Sequence, residues 1–147
     1  MRLFESSPEG RLKQAKLDLI DFAFENHGVR SFADLGGVWG VEGGYTFYAL
    51  DKHKVDKAFL VDTHPTKVVL EKAKKYQQLE VLEGSFGDQS MVSQVAGVDA
   101  VFFFDVLLHQ VSPDWDTILE LYGRQTRCFI IYIQQWIGSG VTSRLLE

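Results

Sequence analysis

The hydrophobic positions of this chain fall into five short apolar runs, separated by segments with a helical repeat. We interpret the runs as β-strands over residues 31–35, 57–62, 79–82, 98–104 and 128–133. Most are nearly all apolar, as expected for strands of a parallel sheet that are buried on both faces. Several of the segments between them show the spacing of three and four that is typical of amphipathic helices. This alternation predicts a parallel sheet with crossover helices.

A further helix is predicted before the first strand, over residues 10–27. Gly28 follows it directly, at the position where glycine commonly ends a helix. The predicted apolar face places Lys13 and Lys16 on the solvent side. That face consists of Leu12, Ala15, Leu19, Phe22 and Ala23. We interpret the segment as a helix that covers the sheet.

The segment that joins the first two strands carries the clearest chemical signal. The first strand leads into Gly36, Gly37 and Gly40, a helix is predicted over about residues 41–50, and the second strand ends on Asp62. Glycines let a ligand approach the backbone, and the start of a helix presents free N–H groups to the same crevice. An acidic residue at the tip of the second strand can accept hydrogen bonds from ribose hydroxyls. The unit therefore predicts a site for a nucleotide-like ligand.

The glycine turn and the acid after strand two resemble the first two motifs of class I S-adenosylmethionine-dependent methyltransferases. Members of that family usually carry an acidic residue, then Gly-x-Gly-x-Gly, then an acidic residue that ends strand two. Gly36 and Gly40 match the outer glycines, while Val38 stands at the middle position with Gly37 beside it. The resemblance implies a doubly wound, Rossmann-like α/β fold in three α/β/α layers, with strand order 3-2-1-4-5 and an N-terminal cover helix. In members of the family a helix at this place closes over the cofactor, and the alternative is a helix that only packs on the sheet.

The resemblance also implies roles toward S-adenosylmethionine as the cofactor. The three glycines would approach the methionine part, and Asp34 would stand by its ammonium group. Asp62 would hold the ribose hydroxyls, with Thr63 next to it. The implied cofactor-binding set is Asp34, Gly36, Gly37, Gly40, Asp62, Thr63, Ser85, Phe86 and Asp105.

Two later loops complete this predicted site. Ser85 and Phe86 follow strand three, where the family's loop meets the adenine. Asp105 ends strand four, resembles the start of the family's fourth motif, and would form the floor near the methionine. His109 lies on the same loop and is predicted to face the cleft, where an imidazole with an unperturbed pKa of about 6.5 suits a general base. The alternative for His109 is a surface or capping residue.

Charge and composition restrict the partners. The 147 residues suit one domain, over 1–147, and the net charge of −5 lacks the basic footprint of a nucleic-acid-binding protein. We therefore expect a small-molecule acceptor. The single cysteine, Cys128, together with the absence of a recognisable signal peptide, favours a cytoplasmic location. No apolar run approaches the about 18 residues of a membrane span, and the histidines show no metal-ligand spacing.

The predicted function is methyl transfer from S-adenosylmethionine, and two other classes remain open. One is an NAD-dependent oxidoreductase, which also uses a glycine turn and a ribose-binding acid. Its usual Gly-x-Gly-x-x-Gly spacing is not met here. The other is a non-catalytic binding domain with the same fold, because function depends on the site rather than on the fold.

The end of the chain bears on activity and assembly. Methyltransferases of this class usually continue into strands six and seven, whereas residues 134–147 show no second strand pattern. The resemblance therefore implies a fragment of a longer protein or a minimal relative, with weak cofactor binding and little turnover alone. Residues 128–133 would then form an apolar edge strand, which is a template for pairing with another chain. We predict a homodimer through this strand, with Trp136 close to the contact.

Overall fold

The structure is a computed structural model that describes residues 12–107 and 110–133. Within these ranges, strands and helices alternate after a first helix. The strands are β1 (Ser31–Leu35), β2 (Lys57–Asp62), β3 (Leu79–Glu83), β4 (Ala100–Phe104) and β5 (Cys128–Tyr132). The helices are α1 (Gln14–His27), α2 (Gly44–Lys52), α3 (Lys67–Ala73), α4 (Gln89–Gln94) and α5 (Trp115–Gly123). His109 and Trp136 lie outside the described residues, so their predicted roles stay predictions.

The five strands form one parallel sheet in the order β3-β2-β1-β4-β5. Strand β1 lies in the centre, and its Asp34 stands between Leu60 of β2 and Phe102 of β4. This arrangement confirms the predicted fold class and strand order. The direction of winding reverses between β1 and β4, so the carboxyl ends of these two strands border the crevice where such sheets bind ligands.

Alternate side chains along the central strands enter two separate cores, as the period of a strand requires. On one face of the sheet, Phe32 and Phe102 stack with ring centroids 4.6 Å apart, and helices α1 and α2 cover them. On the other face, Phe103 packs edge-on against Tyr122 of α5. Helix α4 adds Met91 and Val92 to that second core. The sheet is therefore buried on both sides, which explains the nearly continuous apolar runs.

Helix α1 packs with a different face from the predicted one. Phe22 is 55% exposed and Leu19 also faces solvent, whereas Lys16 is only 6% exposed. Helix α1 has two possible apolar faces. The face that carries Ile20 and Phe24, together with Lys16, packs on the sheet because Phe24 contacts Phe32 of β1. The buried positions are Lys16, Ile20, Ala23 and Phe24. The prediction that Lys16 lies on the solvent side is therefore wrong.

Helices α1 and α2 begin later than the sequence predicted, and α1 begins at Gln14 rather than at residue 10. Helix α2 begins at Gly44 rather than near residue 41, because residues 38–43 form a hydrogen-bonded turn. Helix α3 follows Thr66, whose hydroxyl oxygen accepts the backbone N–H of Val69. Helix α5 follows Asp114. The longer turn before α2 enlarges the loop that borders the crevice.

Strand β5 lies at one edge of the described sheet, beside β4 and under the start of α1. The ammonium groups of Lys13 and Lys16 lie 5.8 and 5.3 Å from the centre of the Tyr132 ring. The side chain of Ile131 is 37% exposed. Of the helices described, none has the length and apolar character needed to cross a membrane.

Candidate functional site

A cleft of about 810 Å³ opens at the carboxyl ends of β1, β2 and β4. Pockets for small ligands commonly have volumes of about 300–1,000 Å³. The walls come from the glycine turn after β1, the ends of β2 and β4, the loop after β3, and helix α1. Every residue of the predicted cofactor-binding set lines it, namely Asp34, Gly36, Gly37, Gly40, Asp62, Thr63, Ser85, Phe86 and Asp105. The fold thus brings together side chains that lie up to 71 positions apart in the sequence (Asp34 to Asp105).

Asp34 is a buried acid at the inner end of the cleft, with only 1% of its surface exposed. Its Oδ2 accepts a hydrogen bond of 2.7 Å from the hydroxyl of Thr46 on α2. Burial raises the pKa of Asp34 to about 6, while the Thr46 hydrogen bond and the charge of Lys16 act in the opposite direction. The negative charge of Asp62 adds to the increase. A cationic group bound in the cleft would favour the ionised form of Asp34.

The glycine turn wraps closely around this acid. A Cβ at Gly37 would clash with the Asp34 carboxyl group, lying within 2.7 Å of Oδ1 and closer still to Oδ2. Gly36 has φ of +70°, and a Cβ there would lie 2.8 Å from Cγ1 of Val106. Its N–H donates to the carbonyl of Val61 at 2.7 Å, which joins the turn to β2. Glycine is required at these two positions for space, and at Gly36 also for backbone conformation.

Val38, at the family's middle glycine position, lies at the cleft but exposes only 2% of its surface. Its side chain is buried against Leu60 and Val69, beneath the turn. The Val38 N–H faces the other way and donates to Oδ2 of Asp62 at 3.1 Å. The valine at this position therefore packs in the core while its backbone N–H holds Asp62.

Two backbone amides hold the Asp62 carboxylate in place. Oδ2 accepts the N–H of Val38, and Oδ1 accepts the N–H of His64 at 3.0 Å. A carboxylate has about four acceptor positions, so further positions remain available for donors in the cleft. Next to it, the Thr63 hydroxyl lies 2.8 Å from Nδ1 of His64. The geometry suits a carboxylate that receives two hydroxyl donors.

The loop after β3 forms the opposite wall. The hydroxyl of Ser85 accepts the N–H of Gly87 at 3.2 Å, and the carbonyl of Phe86 accepts the hydroxyl of Tyr122 at 2.5 Å. Burial raises the pKa of Tyr122, so this hydroxyl keeps its proton and remains a donor. The Phe86 ring lies 3.9 Å from where a Cβ of Gly36 would be. An aromatic ring thus lies close beside the glycine turn in the wall of the cleft.

Lys16 reaches into the cleft from α1, and the sequence interpretation missed it. Its Nζ lies 2.8 Å from Oδ2 of Asp105, which has φ of +57°. The same ammonium lies 5.0 Å from the ring centre of Tyr45 and 5.5 Å from that of Phe104. The available signal was the spacing of Ile20 and Phe24, four and eight residues after the lysine. Asp105 therefore meets a cation, rather than forming only a floor.

Other lining residues were also not predicted. The hydroxyl of Thr66 donates to the carboxylate of Glu42 at 2.5 Å, which links the turn to the start of α3. Tyr45 and Gln110 complete the wall near β4. Trp39, on the outer side of the turn, is 88% exposed at the rim. In the part of the chain that the structure describes, no cluster of acids, histidines and cysteine could hold a metal ion.

Comparison with solved structures identifies the fold. WbdD matches with a TM-score of 0.67 and 15% identity, over 92% of this chain and 34% of its own. An O-methyltransferase family protein from Burkholderia thailandensis matches with a TM-score of 0.60 and 18% identity, over 81% of this chain and 36% of its own. The N-terminal domain of EvdMO1 with SAH bound matches with a TM-score of 0.56 and 18% identity, over 83% of this chain and 51% of its own.

A scan against protein-family models and a search of curated proteins found no match. This chain spans about a third of the length of the first two structures it matches. The likeness therefore concerns architecture, and it agrees with the parallel sheet order β3-β2-β1-β4-β5. The chain has the fold of the class I S-adenosylmethionine-dependent methyltransferases.

Proposed function

We propose that this chain is the S-adenosylmethionine-binding domain of a methyltransferase that acts on a small-molecule acceptor. The observation that carries the proposal is the joint placement of Asp34, the glycine turn and Asp62 around one cleft. The matched structures support it, since one of them is described with SAH bound. The cofactor and the reaction are inferences from this site, because the likeness in fold alone does not assign a function.

The residues present fit such a cofactor. The turn carries glycines at positions where a Cβ would collide with Val106 or with the Asp34 carboxyl group, and the cleft volume suits a nucleoside with an amino-acid extension. Asp62 offers acceptor positions to the two hydroxyls of a ribose. Asp34 offers a buried acid to an ammonium group. Phe86 offers a flat apolar surface to a base.

S-adenosylmethionine would supply an activated methyl group that needs no covalent help from the protein. The chain's own part is then to bind and orient. The N–H groups that hold Asp62 fix the carboxylate before a ligand arrives, so less conformational freedom is lost on binding. Thr46 of helix α2 likewise fixes Asp34 through its hydroxyl. Most of the expected rate enhancement would come from holding the acceptor in line with the methyl group.

The acceptor is expected to be a small molecule rather than a nucleic acid because of the charge of the chain. The net charge of the chain is −5, and nucleic-acid-binding domains usually carry clustered positive charge. His109 stays the predicted general base, although it lies outside the described residues. The predicted NAD-dependent alternative is tested by the same experiment as the cofactor.

Isothermal titration calorimetry with S-adenosylhomocysteine, S-adenosylmethionine and NAD tests the proposal. We expect saturable binding of the first two, in the micromolar range or weaker, and no binding of NAD at the same concentrations. Saturable binding of NAD alone would instead favour the oxidoreductase class. If none of the three binds to the folded protein, the proposed function is wrong.

A further inference from the structure

The ammonium group of Lys16 is almost completely buried, and it stands inside the ligand cleft rather than on the surface. Only 8% of its side chain is exposed, and Asp105 lies 2.8 Å away. A buried charge is costly unless it stays paired, so Lys16 must have an anionic or strongly polar partner in every state of the cleft. A bound ligand that displaces Asp105 from Lys16 therefore has to offer an anion of its own.

The charges around the cleft suit a zwitterion. Lys16 lowers the pKa of Asp34 through its charge, so the ammonium and this second acid act on each other within the same cleft. An α-amino acid presents one ammonium and one carboxylate on a single carbon. If Asp34 faces the ammonium group of the ligand, Lys16 lies in the same cleft and can face the carboxylate of the ligand.

We propose that Lys16 binds the carboxylate of the cofactor's amino-acid group, and that this carboxylate replaces Asp105 as the ionic partner of the lysine. The inference rests on the proposed function and adds to it a residue that selects for the amino-acid part of the ligand. The rings of Tyr45, Phe104 and Tyr132 surround the ammonium at 5.0 to 5.5 Å. They hold it near one place while its anionic partner changes, because aromatic faces attract cations without forming directional bonds.

A purely structural role makes a different prediction. If the ion pair only fastened α1 to the end of β4, replacing Lys16 would weaken every ligand of the cleft to the same extent. If Lys16 binds a carboxylate, only ligands that carry this group lose affinity. The discriminating comparison is therefore between two ligands that differ in the carboxylate alone.

Calorimetric titration of Lys16→Met with S-adenosylhomocysteine and with its decarboxylated analogue makes that comparison. Methionine keeps the length and the packing of the lysine stem without the charge. We expect the affinity for S-adenosylhomocysteine to fall about tenfold to a hundredfold, from the 1.5–3 kcal/mol of a charge-assisted hydrogen bond at 1.4 kcal/mol for each factor of ten. Affinity for the decarboxylated analogue should stay within about twofold of wild type or rise, a margin of about 0.4 kcal/mol on the same conversion.

Lys13→Met is the matched control, because it removes the same charge from the same end of α1 without touching the cleft lining. Lys13→Met should alter the affinity for each ligand only slightly. Both changes should be smaller than the loss of affinity for S-adenosylhomocysteine in Lys16→Met. Equal losses for both ligands in folded Lys16→Met, or no loss for either, would overturn the inference and leave the proposed function standing. Failure of the wild-type protein to bind either ligand would overturn both.

Discussion

The hydroxyl of Thr46 donates a hydrogen bond of 2.7 Å to Asp34, and this contact joins helix α2 to the end of β1 within the core. The acid is nevertheless unfavourably placed, since burial raises its pKa to about 6. Functional acids are often held in such environments, where the unliganded protein is less stable than it could be. Three of the four predictions below concern this end of the cleft.

Asp34→Asn should make the protein more stable at neutral pH. The pKa of Asp34 is about 6 in the folded protein, compared with an ordinary value of 3.8, so the folded state binds the proton more tightly. The free energy of unfolding therefore falls as pH rises from about 4 to 7, by on the order of 3 kcal/mol, and the asparagine variant lacks this decrease. Urea unfolding at several pH values, with wild type and variant compared, measures the difference.

Thr46→Val serves as the control for that experiment. Loss of the hydrogen bond removes an influence that lowers the pKa of Asp34, so the decrease in stability should extend to higher pH than in wild type. Identical pH profiles for wild type and Asp34→Asn would contradict the assignment of a raised pKa to this residue.

Asp62→Ala should weaken binding of S-adenosylhomocysteine by roughly 1.5–3 kcal/mol, the range of hydrogen bonds to a charged group. The carboxylate also accepts the N–H groups of Val38 and His64, so thermal unfolding must first show that the variant is folded. Asp62→Asn keeps one acceptor oxygen and should lose less affinity. Unchanged binding in the folded alanine variant would remove Asp62 from the ribose site.

Gly37→Ala should destabilise the protein by about 1–3 kcal/mol, the usual range for forcing extra atoms into a packed site. The added methyl group would clash with the Asp34 carboxyl group. In the double variant Gly37→Ala with Asp34→Ala, this clash is absent, so the cost of the first substitution should largely disappear. Chemical denaturation of the four proteins gives the coupling energy, and strictly additive effects would show that the two residues do not interact.

Ile131→Lys should reduce self-association if the chain pairs through β5. This strand lies at the edge of the described sheet, and the side chain of Ile131 is 37% exposed. A lysine on an edge strand opposes pairing with another chain. Light scattering across a concentration series compares the two proteins; wild type that stays monomeric at high concentration would contradict the predicted dimer. Tyr132 is a poor alternative because its ring packs against Lys13 and Lys16.

The sheet could be predicted from the sequence because the central strands are mostly apolar on both faces. Runs such as Ala100–Phe104 have few alternative structures, and the acids that follow them mark the edge where ligands bind. The predicted cofactor-binding residues around the glycine turn could be located for the same reason, because they follow the apolar strands at that edge. Their roles stay predictions, since the structure shows where the residues lie and not what they bind.

The role of Lys16 could not be predicted, because its position depends on which stripe of α1 faces the sheet. Phe22 and Phe24 are both apolar, and their spacing does not decide between the two faces. The stacking of Phe24 on His53, with ring centroids 4.5 Å apart, favours the second stripe and turns the lysine inward. That contact depends on tertiary structure, which periodicity within one helix does not contain.

The exposure of Trp39 gives the cleft an intrinsic optical signal. Indole fluorescence depends on solvent around the ring, and this ring stands at the rim of the cleft with 88% of its surface in water. The chain has three tryptophans, so replacing Trp115 and Trp136 by phenylalanine would leave an emission that comes from the glycine turn alone. Occupancy of the cleft could then be followed in real time, with unlabelled ligands and at concentrations too low for calorimetry.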